Sequence, residues 1–281
     1  MKVITGIRSA WIHGTMIGCI VSFSAGYGCT ILNVTQDGTT YVAANEDWTT
    51  DRFFLRVQPP EGTNHGMFVF GVDDPEKYPF FGFNDQGLFF DLASAPQPQE
   101  LKSDPKKETR DNRIYIEMLA KCSTAREAVE FLARFNITGL QRHHIMVVDR
   151  KGASAVIEGT PEGHLAIWKN GRYQIIANFL LSSEEGSAMA KTGRYAVADR
   201  LLKEIEKPTI EAMRSILRET RNSNSRYPTV FSSIVNLNEL RLHLYYKGDF
   251  DRCLVIDMHA ELQQGKSLRR LSCSFAALSG K

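Results

Sequence analysis

The 281-residue sequence predicts an α+β fold, a four-layer αββα sandwich with two antiparallel sheets between layers of helices, and three observations predict it. Short apolar or alternating runs bounded by Gly, Asp, Asn and Pro recur along the chain, as strands joined by tight turns do. Helix-periodic stretches come in pairs between sets of such runs, not after each strand, which disfavours a parallel doubly wound sheet. No internal repeat or domain-sized linker divides the chain, and 43% hydrophobic with 23% charged residues suits one sizeable core.

In order, strands are expected at 30–34, 40–44, 53–57, 67–72 and 87–92. Asp37-Gly38 between the first two is a hairpin signal. The stretch 95–108 carries Pro96, Pro98 and Pro105 and reads as an exposed loop. Helices follow at 112–121 and 125–135, the second opened by the capping box Thr124-x-x-Glu127. A meander of strands is expected at 144–148, 154–158, 164–168 and 173–177. Helices return at 193–205 and 210–220, the latter capped by Thr209, and strands at 230–235, 241–246 and 253–257 close the domain. The domain is expected to span 29–262, with 263–281 as a polar tail.

Charge and cysteine content narrow the function classes. With 34 basic against 32 acidic residues the chain has no nucleic-acid or basic membrane footprint. Cys19, Cys29, Cys122, Cys253 and Cys273 are odd in number and form no CxxC pair, so neither a disulfide framework nor a zinc site is indicated. His143-His144 has no third ligand at metal spacing, and adjacent strand residues face opposite ways. No glycine-rich phosphate loop occurs, so no cofactor is implied.

Residues 1–28 read as a leader: Lys2 and Arg8 precede an apolar run at 16–25 and small residues before Cys29. That run is too short to span a bilayer. A secretory signal, hence a periplasmic or secreted location, is the expectation; a propeptide on a cytoplasmic protein and a lipoprotein signal at Cys19 are the alternatives. Without Lys2 and Arg8 the remainder is neutral, with 32 basic residues left against 32 acidic.

The informative segment is CTILNVTQDGTTYVAANEDW, residues 29–48. A lone cysteine beside a strand is ordinarily a small buried hydrophobe. Here the hairpin folds Asn45 and Asp47 back toward Cys29, and two positions apart they point to one face.

Cys29-Thr30, the Asp37-Gly38 hairpin and Asn45-x-Asp47 together resemble the opening of the choloylglycine hydrolase and penicillin V acylase family of N-terminal-nucleophile hydrolases. FNDQGLFFDLASAP at 83–96, the strands from 143 that end in Asn178, TGRYAVADRLL at 192–202 and the closing strands are similar to later segments of that family, in the same order. The resemblance implies Cys29 as nucleophile, Asp47 as the carboxylate beside its amine, with Asn45 supporting. It also implies Asn178 and the Ser94 backbone N–H as oxyanion donors, Arg194 as a cation near the thiol, and a homotetramer. Ala44 departs from the pattern, since the bile-acid and penicillin members usually carry Arg there.

The implied chemistry is coherent. A thiol with pKa of about 8.5 is mostly protonated at neutral pH, while an α-amine near 7.7–8.0 can serve as its base, so a cysteine freed at its own amine carries nucleophile and base together. Cleavage of the 28–29 bond, by signal peptidase or by the thiol itself, is then a precondition. The expected activity is hydrolysis of a linear non-peptide C–N amide in a small N-acyl compound through a thioester. An acyltransferase of the isopenicillin N type, or a silent binding relative, remains open. Phe53, Phe54, Tyr78, Phe80, Phe81, Phe89 and Phe90 are candidates to line an acyl pocket, with core packing as their alternative role.

Overall fold

The computed structural model describes residues 29–279 except Pro98 and Ser225. The expected leader, 1–28, lies outside the described residues. The chain runs through β1 (Thr30–Gln36), β2 (Thr39–Asp47), β3 (Phe53–Gln58), β4 (Met67–Val72), β5 (Pro79–Asn84) and β6 (Phe89–Ser94). Next come β7 (Thr109–Arg110), α1 (Ile114–Lys121), α2 (Ala125–Leu132) and β8 (Asn136–Ile137). The meander β9 (His143–Val148), β10 (Ser154–Thr160), β11 (Gly163–Trp168) and β12 (Tyr173–Ile176) leads to α3 (Glu184–Met189), α4 (Gly193–Glu204) and α5 (Ile210–Thr220). The chain closes with β13 (Thr229–Asn236), β14 (Arg241–Tyr246), β15 (Asp249–Asp257), α6 (Met258–Gln263), β16 (Ser267–Arg270) and α7 (Leu271–Ser279).

Among the described residues these strands form a six-stranded sheet, β12-β1-β2-β13-β14-β15, and an eight-stranded sheet, β11-β10-β9-β6-β5-β4-β3-β16. Side-chain alternation divides each strand between two layers. Ile31, Val42 and Ala44 from the first sheet meet Phe53, Phe70, Phe81, Phe89 and Met146 from the second in a core between the sheets. The opposite face of the second sheet, with Val69, Phe90 and Val147, packs on Ile114, Met118 and Leu119 of α1 and on α2. The outer face of the first, with Leu32, Ala43 and Ile234, packs on Ala198 and Leu202 of α4 and Leu217 of α5. This is the αββα sandwich, and it explains the near-continuous apolar runs of inner strands such as β5 and β13, which are covered on both faces.

Local signals hold where they were specific. The Thr124 side chain accepts from Glu127 N–H while Glu127 reaches back, closing the capping box, and Thr209 caps α5 through Ala212 N–H. Asn84 in the 83–96 segment donates to the Leu119 and Cys122 carbonyls and accepts from Gln86 and Leu88 N–H, tying β5 to the end of α1.

Besides the short elements β7, β8, α3 and α6, which were not expected, two stretches differ from expectation. β5 was not foreseen, because Pro79 and Gly82 punctuate its sequence; Pro79 opens the strand, and a Cβ at Gly82 would stand 2.6 Å from the Phe68 carbonyl oxygen. Residues 263–279 do not trail as a polar tail. β16 pairs with the edge strand β3, and Leu271 and Phe275 of α7 enter the core between the sheets. No described helix is long and apolar enough to cross a membrane.

Candidate active site

The site begins with a turn. Asp37 and Gly38 both have positive φ, 51° and 76°, the conformation of a two-residue hairpin whose twist matches its strands. Such a turn fixes the register, from Gln36 opposite Thr39 to Thr30 opposite Asn45. One step further, Cys29 faces Glu46. Facing residues share a face of the sheet, and the Cys29 thiol donates to Glu46 Oε2 at 3.4 Å in the space between the sheets. Burial pushes the thiol well above its ordinary pKa; Glu46, Asp47 and Asp91 add to this, and the Asp47 backbone N–H works against it.

The expectation that Asn45 and Asp47 both turn to Cys29 needs correction. Asn45 projects from the other face of β2, where its amide donates to Leu217 O at 3.0 Å and Thr220 Oγ1 at 3.1 Å and its oxygen accepts from Ser232 Oγ at 2.6 Å. It joins β2 to α5 and β13. Asp47 sits at the end of β2, opposite a bulge in β13 between Thr229 and Phe231, and lines a cavity with Cys29. Its carboxylate accepts from Arg194 Nη1 at 2.5 Å and Thr229 Oγ1 at 2.5 Å. Arg194 and Asp47, expected to serve separate partners, therefore form one ion pair. Burial raises the Asp47 pKa to about 6, with Arg194 opposing.

The two expected oxyanion donors meet each other. Asn178 Nδ2 donates to the Ser94 carbonyl at 3.0 Å, joining the end of β12 to the end of β6. A buried pair, His144 and Glu158, supports this junction. His144 Nε2 donates to Ala177 O at 2.8 Å and its Nδ1 faces Glu158 Oε1 at 3.1 Å, while Glu158 also accepts from Leu181 N, Ser182 N and Ser182 Oγ. Asn178 is thus held from both sides. His143 points the other way and shares a hydrogen bond with the Tyr115 hydroxyl at 3.2 Å; burial, then His144, lowers its pKa to about 3.

Cys29, Asp47 and Ser94 open into a cavity of about 530 Å³. Trp48, Val72, Tyr78, Pro79, Phe80 and Leu92 form its apolar wall, and Asp73, Asn112, Arg142 and His143 its polar wall. Of the aromatics singled out as pocket candidates, Tyr78 and Phe80 are in the lining. Phe53, Phe81 and Phe89 fill the core between the sheets, and Phe90 packs beneath α1.

Two residues were not anticipated. Glu46 was passed over as the middle of Asn-x-Asp, although the two-residue turn already determined by counting that position 46, not 45 or 47, lies opposite 29. Asp91 on β6 comes from the other sheet, and no sequence signal paired it with β2. Glu46 is 1% and Asp91 0% exposed.

No protein-family sequence model matches the chain, and no curated relative matches it by sequence. The fold does match solved structures. Two variants of conjugated bile acid hydrolase from Clostridium perfringens superpose with TM-scores of 0.70 and 0.66 at 17% identity, each covering 86% of this chain and 96% and 95% of theirs. Penicillin V acylase from Agrobacterium tumefaciens superposes with a TM-score of 0.68 at 16% identity, covering 85% of this chain and 90% of its own. The chain shares their fold over most of its length.

Proposed function

We propose that this protein is an amidohydrolase that cleaves a linear, non-peptide C–N amide bond of a small N-acyl compound, with Cys29 as nucleophile. The observation that carries the reading is the meeting of Cys29, Asp47 and Ser94 at one cavity within a fold shared with a bile acid hydrolase and a penicillin acylase. In this reading the 28–29 bond is cut, and the Cys29 α-amine is freed beside Asp47, whose carboxylate stabilises the ammonium form. Arg194 fixes that carboxylate.

The thiolate attacks the substrate carbonyl carbon and forms a C–S bond as the carbonyl oxygen becomes negative. The Asn178 amide, positioned through Ser94, His144 and Glu158, stabilises that charge together with backbone N–H at Ser94. The α-ammonium gives its proton to the leaving nitrogen, and water resolves the thioester. The apolar wall suits a hydrophobic acyl group, and the leader suits export to the periplasm or exterior.

The test is the intact mass and N-terminal sequence of wild type and Cys29→Ala, each with and without residues 2–28, followed by product analysis on a panel of N-acyl amides. A chain beginning at Cys29 that releases free acid and amine sustains the reading. A full-length chain with no acyl adduct on Cys29 refutes it, and acyl transfer to added amine in preference to water would make it an acyltransferase.

A further inference from the structure

Beneath Cys29 the space between the sheets holds two acids for which the proposed reaction has no use so far. Glu46 comes from β2 and Asp91 from β6, both fully buried. Among the described residues neither forms an ion pair with Lys, Arg or His, and position 44, two residues before Glu46 on the same face, is Ala. Glu46 Oε1 and both oxygens of Asp91 lack hydrogen-bond partners when both groups are written as carboxylates.

Two adjacent buried carboxylates with no Lys, Arg or His partner among the described residues hold a proton between them. Burial raises Glu46 to about 8, with the Cys29 thiol and the Trp48 indole working to lower it. Asp91 is pushed well above the carboxylate range by burial and by Glu46. Of the two, Glu46 is the one that faces the thiol, so once ionised it is the carboxylate placed to accept the thiol proton. Asp47, the remaining acid beside the thiol, is engaged by Arg194 and Thr229. Glu46 Oε2 is where the thiol proton already points.

We propose that Glu46 is a further catalytic residue, the acceptor of the Cys29 thiol proton, and that Asp91 is its positioning residue. The inference rests on the reading of Cys29 as nucleophile. As sulfur bonds to the carbonyl carbon, its proton passes to Glu46 Oε2 and the carbonyl π pair moves to oxygen. Collapse of that oxyanion breaks the C–N bond, and the nitrogen leaves with the α-ammonium proton. In the second half, water gives one proton to the amine and bonds to the thioester carbon. The C–S bond breaks, and Glu46 returns the proton to sulfur. Amide and water are consumed; acid and amine are produced.

The test uses mature protein and two probes, p-nitrophenyl acetate for the acylation burst and iodoacetamide for thiolate. At pH 9, where Glu46 is ionised, Glu46→Gln and the apolar, similarly sized Glu46→Met are expected to slow the burst about 100-fold, the ordinary worth of a placed base. In both, the midpoint of Cys29 alkylation moves to lower pH, because a negative charge has left the sulfur. Asp91→Leu should move the rising limb of the burst rate to higher pH, and Asp91→Asn, whose amide can still donate to Glu46, should recover it in part. Burst rates in both Glu46 variants equal to or above wild type would overturn the proposal and make Glu46 a brake on the thiol. If wild type shows no burst and no acyl adduct that Cys29→Ala abolishes, the nucleophile reading fails instead; an unshifted alkylation midpoint in the Glu46 variants would then remove Glu46 from the thiol as well.

Discussion

The space between the sheets contains two buried acidic clusters of opposite character. At one end Glu158 is surrounded by donors, His144, Leu181 N–H and the Ser182 N–H and hydroxyl, and its pKa is lowered despite burial. At the other, Glu46 and Asp91 have each other, the Cys29 thiol, the Trp48 indole and the Leu92 N–H as partners but no cationic side chain among the described residues, and both pKa values are raised. The difference teaches how to separate architecture from chemistry. A saturated buried carboxylate has no capacity left for a new proton, whereas an unsaturated one beside a thiol is poised to take one.

Substituting the same residue type in both clusters breaks the comparison most sharply. Glu158→Met leaves His144 buried without its carboxylate and should cost about 3–5 kcal/mol by denaturant unfolding. Glu46→Met at pH 8 should be neutral or stabilising by the same measurement, since it removes a buried group that has no cation. Equal losses would mean that the two clusters are alike.

Asn178→Ala comes next. Because the His144–Glu158 cluster grips Ala177 and Asn178 reaches Ser94, this change should lower kcat on any turned-over amide by about 100-fold or more while leaving the unfolding midpoint near wild type. An unchanged kcat would leave the junction as scaffold alone.

The smallest effect is on pH dependence. Glu46 has a folded pKa above its unfolded value, so its neutral form favours the folded state; that contribution is complete below about pH 4.5 and is lost as pH rises through about 8. Glu158 has the opposite sign, its contribution being present above its unfolded value and lost as pH falls. Thermal midpoints of wild type should therefore decline from pH 5.5 to 9, and Glu46→Gln should flatten that decline. A parallel decline in both would place the titration elsewhere.

Much of the fold was legible because its signals are local. Thr124 and Glu127 cap a helix through their own neighbours, and the Asp37-Gly38 turn needs only its two residues in a left-handed conformation. β5 escaped because a strand buried on both faces can carry Pro and Gly without showing alternation, and β16 because Ser-Leu-Arg-Arg at a sheet edge has no apolar period. At the candidate site, the hairpin spacing brings Asp47 to the cavity that Cys29 lines, while Asn45 was misdirected by parity counted without the register. Glu46 was within reach of that same count.

By itself, then, the sequence determined the hairpin register, the helix caps and the alternation that divides each strand between two layers, since these depend on contacts a few residues apart. Only the tertiary structure decided that Asp91 lies under Glu46, that Arg194 closes on Asp47 and that Asn178 reaches Ser94. Each of those meetings joins residues far apart in the chain, and what brings them together is the packing of two sheets face to face, a non-local outcome of burying apolar faces that no short window of sequence specifies.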